Sequence, residues 1–281
     1  MKVNMSKSLL AVTMTVALGA ASTGAMAALF NPFTVNEASV PGGLANPLLS
    51  SPLPGAEPGK ITGNYVENIT FSGGASGTFT ASLRWNAGQY VATDGATVLG
   101  SQLGAITPNQ YGLYALLTST GSYAPGAGTT TVFTLGAGSA LSVWIDPSSN
   151  TAFSGGVTVT GGAADDYKIA DGLTIGGTGT LDPLLPTCGA AGINCGSFGT
   201  STTFALTALG SNYFTGPVPF YNLAFQSGQL NVLDTANPAQ QRTNGSLDVV
   251  FGNSVPEPAS LALMGIGLMG LGASVRRRKQ A

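Results

Sequence analysis

The sequence predicts an all-β protein: an antiparallel β-sandwich, jelly-roll-like or Ig-like, with a Gly- and Thr-rich ectodomain and a single C-terminal hydrophobic helix. Three observations predict it. Short stretches rich in Thr, Val, Tyr and Phe recur between Gly and Asn turns. In Thr78-Phe79-Thr80-Ala81-Ser82-Leu83-Arg84-Trp85 the apolar residues alternate with polar ones, the period of a half-buried strand. Outside the two ends no helical periodicity runs beyond about three turns.

Composition narrows the function classes. Glycine accounts for 41 of 281 residues and charged residues for 8%, against roughly 25% charged in an average soluble domain. The surface is therefore mostly polar and uncharged. The glycines keep no three-residue period, and Gly plus Pro stays below the ~25–30% of low-complexity chains, which excludes collagen and wholesale disorder. The chain has no histidine, so a Ser-His-Asp triad, a Cys-His dyad and any histidine-ligated metal are excluded. Between residues 28 and 254 four bases (Lys60, Arg84, Lys168, Arg242) face eleven acids, a net charge of −7. That balance offers no counterion release to nucleic acid, which is not an expected partner.

Taken in order, residues 1–27 read as a secretory signal peptide. Lys2 and Lys7 form its basic region, Leu9–Ala21 its apolar run, and Ala25-Met26-Ala27 an A-x-A site for signal peptidase, so the mature chain would begin at Ala28. An uncleaved anchor is the rival reading, and the run is short for it. Residues 28–59 carry Pro32, Pro41, Pro47, Pro52, Pro54 and Pro58 and read as an irregular lead segment packed on the domain.

Residues 60–253 form the expected β-sandwich ectodomain. Strands are expected at Ile61–Phe71, Ser76–Trp85, Gln89–Thr93, Tyr111–Thr118, Thr129–Leu135 and Ala140–Ile145, and then at Gly156–Thr160, Leu173–Leu181, Thr202–Leu209, Phe220–Leu233 and Ser246–Phe251. Gly136-Ala137-Gly138 reads as a tight hairpin between two of them. Strand edges with so few lysines are poorly defended, which makes self-association cheap unless loops cover them.

Candidate sites are sparse. Cys188-Gly-Ala-Ala-Gly-Ile-Asn-Cys195 reads as a local disulfide in an exported chain, contributing roughly 2–3 kcal/mol; a metal or redox pair is the weaker reading. Asp165, Asp166 and Asp171 form the densest acidic cluster, first suspects if the protein were glycan-active, though a solvated loop explains them as well. Asp146-Pro-Ser-Ser-Asn150 resembles a calcium loop less than a plain Asp-Pro turn. Trp85 and Trp144 sit in alternating strands and read as core. Tyr111, Tyr114, Tyr123 and Tyr213 lie near turns where they could face solvent and stack on sugars. No catalytic residue, metal or cofactor is expected. Asn68-Ile-Thr70 and Asn244-Gly-Ser246 match the glycosylation triplet, a pattern common by chance.

The last segment, 254–281, is tripartite. Residues 259–275 are seventeen without a charge, the lower limit for a spanning helix, and Arg276, Arg277, Arg278 and Lys279 follow at once. The positive-inside rule leaves that cluster in the cytoplasm and the body across the membrane, in agreement with the signal peptide. Ahead of the apolar run stand Pro256, Glu257 and Pro258, two prolines fixing an extended stretch with one acid between. They could simply stop the helix. Together the three parts resemble the PEP-CTERM sorting signal, and the resemblance implies handling by an exosortase of Gram-negative bacteria, with only transient anchoring in the inner membrane.

The body is also similar to the flocculation-associated PEP-CTERM proteins, through Phe30-Asn-Pro-Phe-Thr-Val-Asn-Glu37, Tyr65-Val-Glu-Asn-Ile-Thr-Phe71, Ala81-Ser-Leu-Arg-Trp-Asn-Ala-Gly88, Trp144-Ile-Asp-Pro147, Gly196-Ser-Phe-Gly199 and Asn244-Gly-Ser-Leu-Asp-Val-Val-Phe251. That resemblance implies a non-enzymatic protein of the extracellular matrix or cell surface, promoting flocculation or biofilm aggregation with exopolysaccharide or another surface glycan. The alternatives are a secreted glycan-active enzyme and a permanently membrane-anchored periplasmic protein.

Overall fold

The computed structural model describes residues 30–42, 57–104, 110–188 and 192–252. In chain order the strands are β1 (Thr34–Val35), β2 (Pro58–Gly73), β3 (Gly77–Ala92), β4 (Gly112–Pro125), β5 (Thr131–Leu135), β6 (Ala140–Asp146), β7 (Ala152–Ser154) and β8 (Thr158–Gly161). They continue with β9 (Tyr167–Leu181), β10 (Gly196–Thr202) and β11 (Ala205–Leu206), a short helix α1 (Ala208–Tyr213), then β12 (Phe214–Gly216), β13 (Asn222–Leu230) and β14 (Gln241–Gly252). Nearly everything is antiparallel β, as the alternation predicts.

The architecture differs from the expected sandwich. Pairing runs β2–β3–β4, then from β4 to both β5 and β6, from these to β9, and on through β10, β13 and β14 back to β2. Because β9 pairs β10, one sheet closes on itself as an up-and-down barrel of eight staves, with β5 and β6 sharing a stave. Strand length is the physical reason. Ser76–Trp85 and Gln89–Thr93 are not two strands but parts of β3, and β2 and β3 each run 16 residues. An irregularity between Thr62 and Gly63, opposite Ala87–Gln89, breaks the visible alternation. Long strands with bulges and glycines coil enough to close, whereas short regular ones stack as a sandwich.

Gly136-Ala137-Gly138 does not turn a hairpin. Both β5 and β6 run antiparallel to β4, so the chain keeps its direction and these residues bulge outward. Thr174 on β9 ties the bulge: its carbonyl accepts from Gly138 N at 2.8 Å, and its hydroxyl donates to Gly136 O at 2.9 Å. Thr202–Leu209 is likewise not one strand. It divides into the end of β10, β11 and the start of α1, where the Thr207 hydroxyl caps the helix by accepting from Gly210 N at 3.0 Å.

Side chains fill the barrel. One apolar cluster, around Tyr65, Trp85, Leu113, Ile145, Phe225 and Leu247, occupies the end where β2 begins and β14 finishes. A second, around Ile69, Phe79, Tyr123, Phe133, Leu181 and Leu230, occupies the other. Trp85 is 2% exposed and donates its indole N–H to Leu247 O at 2.8 Å. Its ring needs the glycine beneath it: a Cβ on Gly63 would lie 2.6 Å from Trp85 Nε1 and 2.2 Å from Asn86 O.

Phe33, Val35 and Val40 of the lead segment close the first end, with the Phe33 ring edge-on to Phe251 at 4.9 Å between centroids. Closure also removes the long unpaired edges on which the self-association argument rested, because a barrel has none. Among the described residues no helix is long and apolar enough to cross a membrane. The expected helix 259–275 lies outside them.

Candidate functional site

Several expected site residues fall outside the described residues: Ala25, Ala27 and Ala28 of the signal-cleavage site, Pro256, Glu257 and Pro258 of the sorting motif, and the basic cluster Arg276, Arg277, Arg278 and Lys279. Cys188 and Cys195 are joined as a disulfide. Cys195 is fully buried at the second end of the barrel, and its N–H donates to Leu230 O at 2.6 Å, tying the cystine loop to β13.

The acidic cluster regroups. Asp171 stands apart, exposed and paired with Lys168 at 2.9 Å. Asp146 joins Asp165 and Asp166 instead, with oxygens of all three within 4.8 Å of one another. Asp146 locks its own turn, accepting from Asn150 N at 3.2 Å and Thr151 N at 2.9 Å, which is the Asp-Pro turn the sequence predicts. Asp166 Oδ2 accepts from the Tyr114 hydroxyl at 2.6 Å and the Thr151 hydroxyl at 2.7 Å.

Burial first, and the neighbouring Asp146 and Asp165 charges after it, raise the Asp166 carboxyl above its usual range against the pull of those hydrogen bonds. The Tyr114 hydroxyl is raised too, by burial and then by Asp166. Beside the turn lies a cleft of about 190 Å³ lined by Arg84, Tyr114, Asp146, Thr151 and Phe153. All-oxygen donors suit a hard cation, but calcium takes about six to eight of them, and the hydrogen bonds here already occupy both Asp146 oxygens. The cluster is first a turn lock.

Aromatic platforms are scarcer than expected. Tyr111, Tyr114, Tyr123 and Tyr213 are all buried, so none can stack on a sugar from solvent. The period-2 rule explains two of them: Tyr111, in phase with Leu113 and Ala115, points into the plugged end and Tyr123 closes the other, while Tyr213 reaches the plugged end from the last residue of α1. Tyr114 faces outward but is roofed by Phe153 of the β7–β8 ribbon, ring to ring at 5.3 Å. Trp144 reverses in the other sense. It lies outside the core, half-buried on the outer face of β6, with Lys168 over its ring at 5.2 Å.

One patch of the outer face, across β2, β3, β4, β5 and β9, is a hydroxyl array. In register, Ser72 faces Thr78, Thr78 faces Ser122, Ser122 faces Thr134 and Thr134 faces Thr178, one row across five strands with every member exposed. A second row, Thr70, Thr80 and Thr120, runs beside it. Neighbouring strands stand about 4.8 Å apart, so these rows form a regular grid of donors and acceptors without a charge in it.

Two buried acids escaped the sequence reading. Glu37, fully buried, accepts from Gln102 N at 3.0 Å and from the Tyr111 hydroxyl at 2.8 Å. Tyr111 in turn shares a hydrogen bond with Tyr213, and Tyr213 with Tyr90. Glu67 lies inside the barrel on the same face of β2 as Tyr65 and Ile69, 8% exposed. Its place in Tyr65-Val66-Glu67-Asn68-Ile69, in phase with the apolar residues, was the available signal.

The PEP-CTERM protein-sorting motif matches residues 254–278. The matched segment starts two residues beyond Gly252, where β14 ends. This supports a chain that is exported, handled by an exosortase and sorted to the cell envelope of a Gram-negative bacterium. Neither a curated protein nor a solved structure matches the chain.

Proposed function

We propose that this is a non-enzymatic matrix or cell-surface protein, released from transient inner-membrane anchoring by an exosortase, that promotes flocculation or biofilm aggregation by binding exopolysaccharide. The observation that carries the reading is a sorting motif attached directly to a barrel whose outer face carries an uncharged hydroxyl grid across β2, β3, β4, β5 and β9. Hydroxyls exchange water for sugar hydroxyls with little desolvation cost, each contact is weak, and many contacts along one polymer convert weakness into avidity. Direct attachment argues for release. Three residues separate Gly252 from Pro256, four Cα-to-Cα steps with a reach of roughly 14 Å at full extension, so the anchored barrel stays against the membrane and meets extracellular polymer only after the tail is removed.

The test is intact mass and location of the protein from native cells beside a Pro256→Ala/Glu257→Ala/Pro258→Ala variant, followed by flocculation of a strain lacking the chain. A wild-type species ending near Val255–Pro258 in the matrix, a variant retained in the membrane with its tail, and loss of flocculation are expected. An intact tail in both proteins overturns the sorting half of the proposal; normal flocculation without the chain overturns the other. A purified barrel that released sugar ends from the polysaccharide would contradict the non-enzymatic reading.

A further inference from the structure

Glu67 is the one carboxyl among the described residues whose side chain projects between the two apolar clusters inside the barrel. It borders a cavity of about 30 Å³ whose other walls are Ile69, Phe79, Phe133 and Leu135 with Phe198, Leu230 and Leu233. That is room for about two water molecules and no larger ligand. Among the described residues no hydrogen-bond donor reaches its oxygens. Directly across the strands stand Leu83 on β3 and Thr243 on β14.

The groups facing it can be taken element by element. On β2 the Tyr65 hydroxyl is committed to Gln229 O, and that phenol is itself raised by burial and then by Glu67. β3, β5, β10 and β13 present Phe79, Phe133, Leu135, Phe198 and Leu230, and β14 presents Thr243. Arg84 and Arg242 project from the opposite faces of β3 and β14, toward Phe153 and Gly156 of the ribbon on the outside. Among the described residues no cation inside the barrel compensates the carboxylate, and burial alone pushes Glu67 up to about 7.

We propose that Glu67 is a pH-operated latch: neutral, it is caged and the disulfide end of the barrel stays shut; ionised, it draws water in and that end opens. The opening falls at Leu233, because every other wall of the cavity belongs to a barrel strand held by its ladder, whereas Leu233 lies in the connection after β13. The sign follows from linkage. The folded carboxyl titrates above its unfolded value, so its full contribution is present below pH 4.5 and is lost as pH rises through about 7. Relative to a variant without the group, the folding equilibrium constant should fall tenfold per pH unit across that window, roughly 300-fold in all.

The experiment compares denaturant unfolding of the disulfide-intact barrel and its Glu67→Gln variant from pH 4 to 9, with a carboxyl-carbon NMR titration of Glu67 in the wild-type protein. The expected result is a wild-type stability that declines relative to the variant between pH 4.5 and 7, a Glu67 resonance titrating near 7, and faster amide exchange at 231–241 in wild type than in the variant above pH 7. A pH-independent difference, or a Glu67 titrating near 4.5, overturns the latch. If the variant fails to fold, the NMR titration decides alone. Equal exchange at 231–241 in both proteins overturns the assignment of the opening to Leu233.

Discussion

Tyr111 donates its hydroxyl proton to Glu37 at 2.8 Å, joining the start of the barrel stave β4 to a 3-10 turn of the lead segment 74 residues earlier. The bond makes the lead segment a plug. Glu37 also accepts from Gln102 N, and the chain of hydroxyls continues through Tyr213 to Tyr90, so the plug is held by polar bonds inside an apolar end. Burial raises the Tyr90, Tyr111 and Tyr213 hydroxyls well above their ordinary value, and they stay protonated donors throughout the physiological range.

Removing the acceptor therefore strands its donors. Glu37→Ala leaves the Gln102 N–H and the Tyr111 hydroxyl buried without that partner, each at about 1–3 kcal/mol, so a loss of at least about 2 kcal/mol is expected. Tyr111→Phe keeps the ring and should lose about half as much. Urea midpoints at constant slope measure both. A Glu37→Ala protein as stable as wild type would mean that the plug is held by Phe33, Val35 and Val40 alone.

Much of this was legible locally and little of it globally. The period-2 pattern of Thr78–Trp85 placed Phe79, Ala81, Leu83 and Trp85 on one face, and all four are buried. Trp144, read as core from its apolar neighbours, instead follows the phase of its strand: Leu141, Val143 and Ile145 are buried and Trp144 between them faces outward. Closure was not legible, because the β9–β10 pairing depends on strand length and coil, which a bulge near Gly63 and the glycines of β9 conceal. Asp146 and Asp166 could not be matched either: they meet only because β6 and β9 pair.

At the acidic turn the two halves of Asp166 should separate by substitution. Asn keeps an oxygen for Tyr114 and Thr151 and places an amide donor at the Oδ1 position, which is buried without a partner in a cluster of three acids. Asp166→Asn is expected to match or exceed wild type at pH 7, while Asp166→Ala should lose about 1–3 kcal/mol with its two hydrogen bonds. Because the carboxyl is raised, its contribution is present in acid and lost as pH rises through its folded value, so any advantage of Asn should shrink on acidification. Denaturation curves at pH 4 and pH 7 test this; equal losses for Asn and Ala would show that the charge itself is required.

The cystine is expected to act on stability and not on fold. Its loop is short, a separation of 7, for which chain entropy gives about 2–3 kcal/mol. Cys188→Ser/Cys195→Ser should keep the far-ultraviolet β signature and lower the urea midpoint by a corresponding amount, and a reductant should reproduce the shift in wild type but not in the double variant. Since Cys195 N also anchors to Leu230 O, the loop should stay docked without the bond. Collapse of the β signature would instead make the cystine a condition of folding.

The hydroxyl grid offers the sharpest separation of binding from stability. Thr78, Ser122 and Thr134 are exposed and face one another across β3, β4 and β5, so three substitutions place a compact charge on one patch. Thr78→Glu/Ser122→Glu/Thr134→Glu adds desolvation cost to every sugar contact made there and like-charge repulsion toward an acidic polymer, on a body already acidic. Co-sedimentation with the native polysaccharide should fall at least tenfold. Some stability will be lost to repulsion between the facing carboxylates, so a Thr78→Gln/Ser122→Gln/Thr134→Gln protein, equally bulky but neutral, serves as the comparison. If the Gln variant binds and the Glu variant does not, the grid reads polymer through uncharged hydrogen bonds. Full binding by both would move the contact surface elsewhere on the barrel, and the half-exposed Trp144 beside Lys168 would be the next place to substitute.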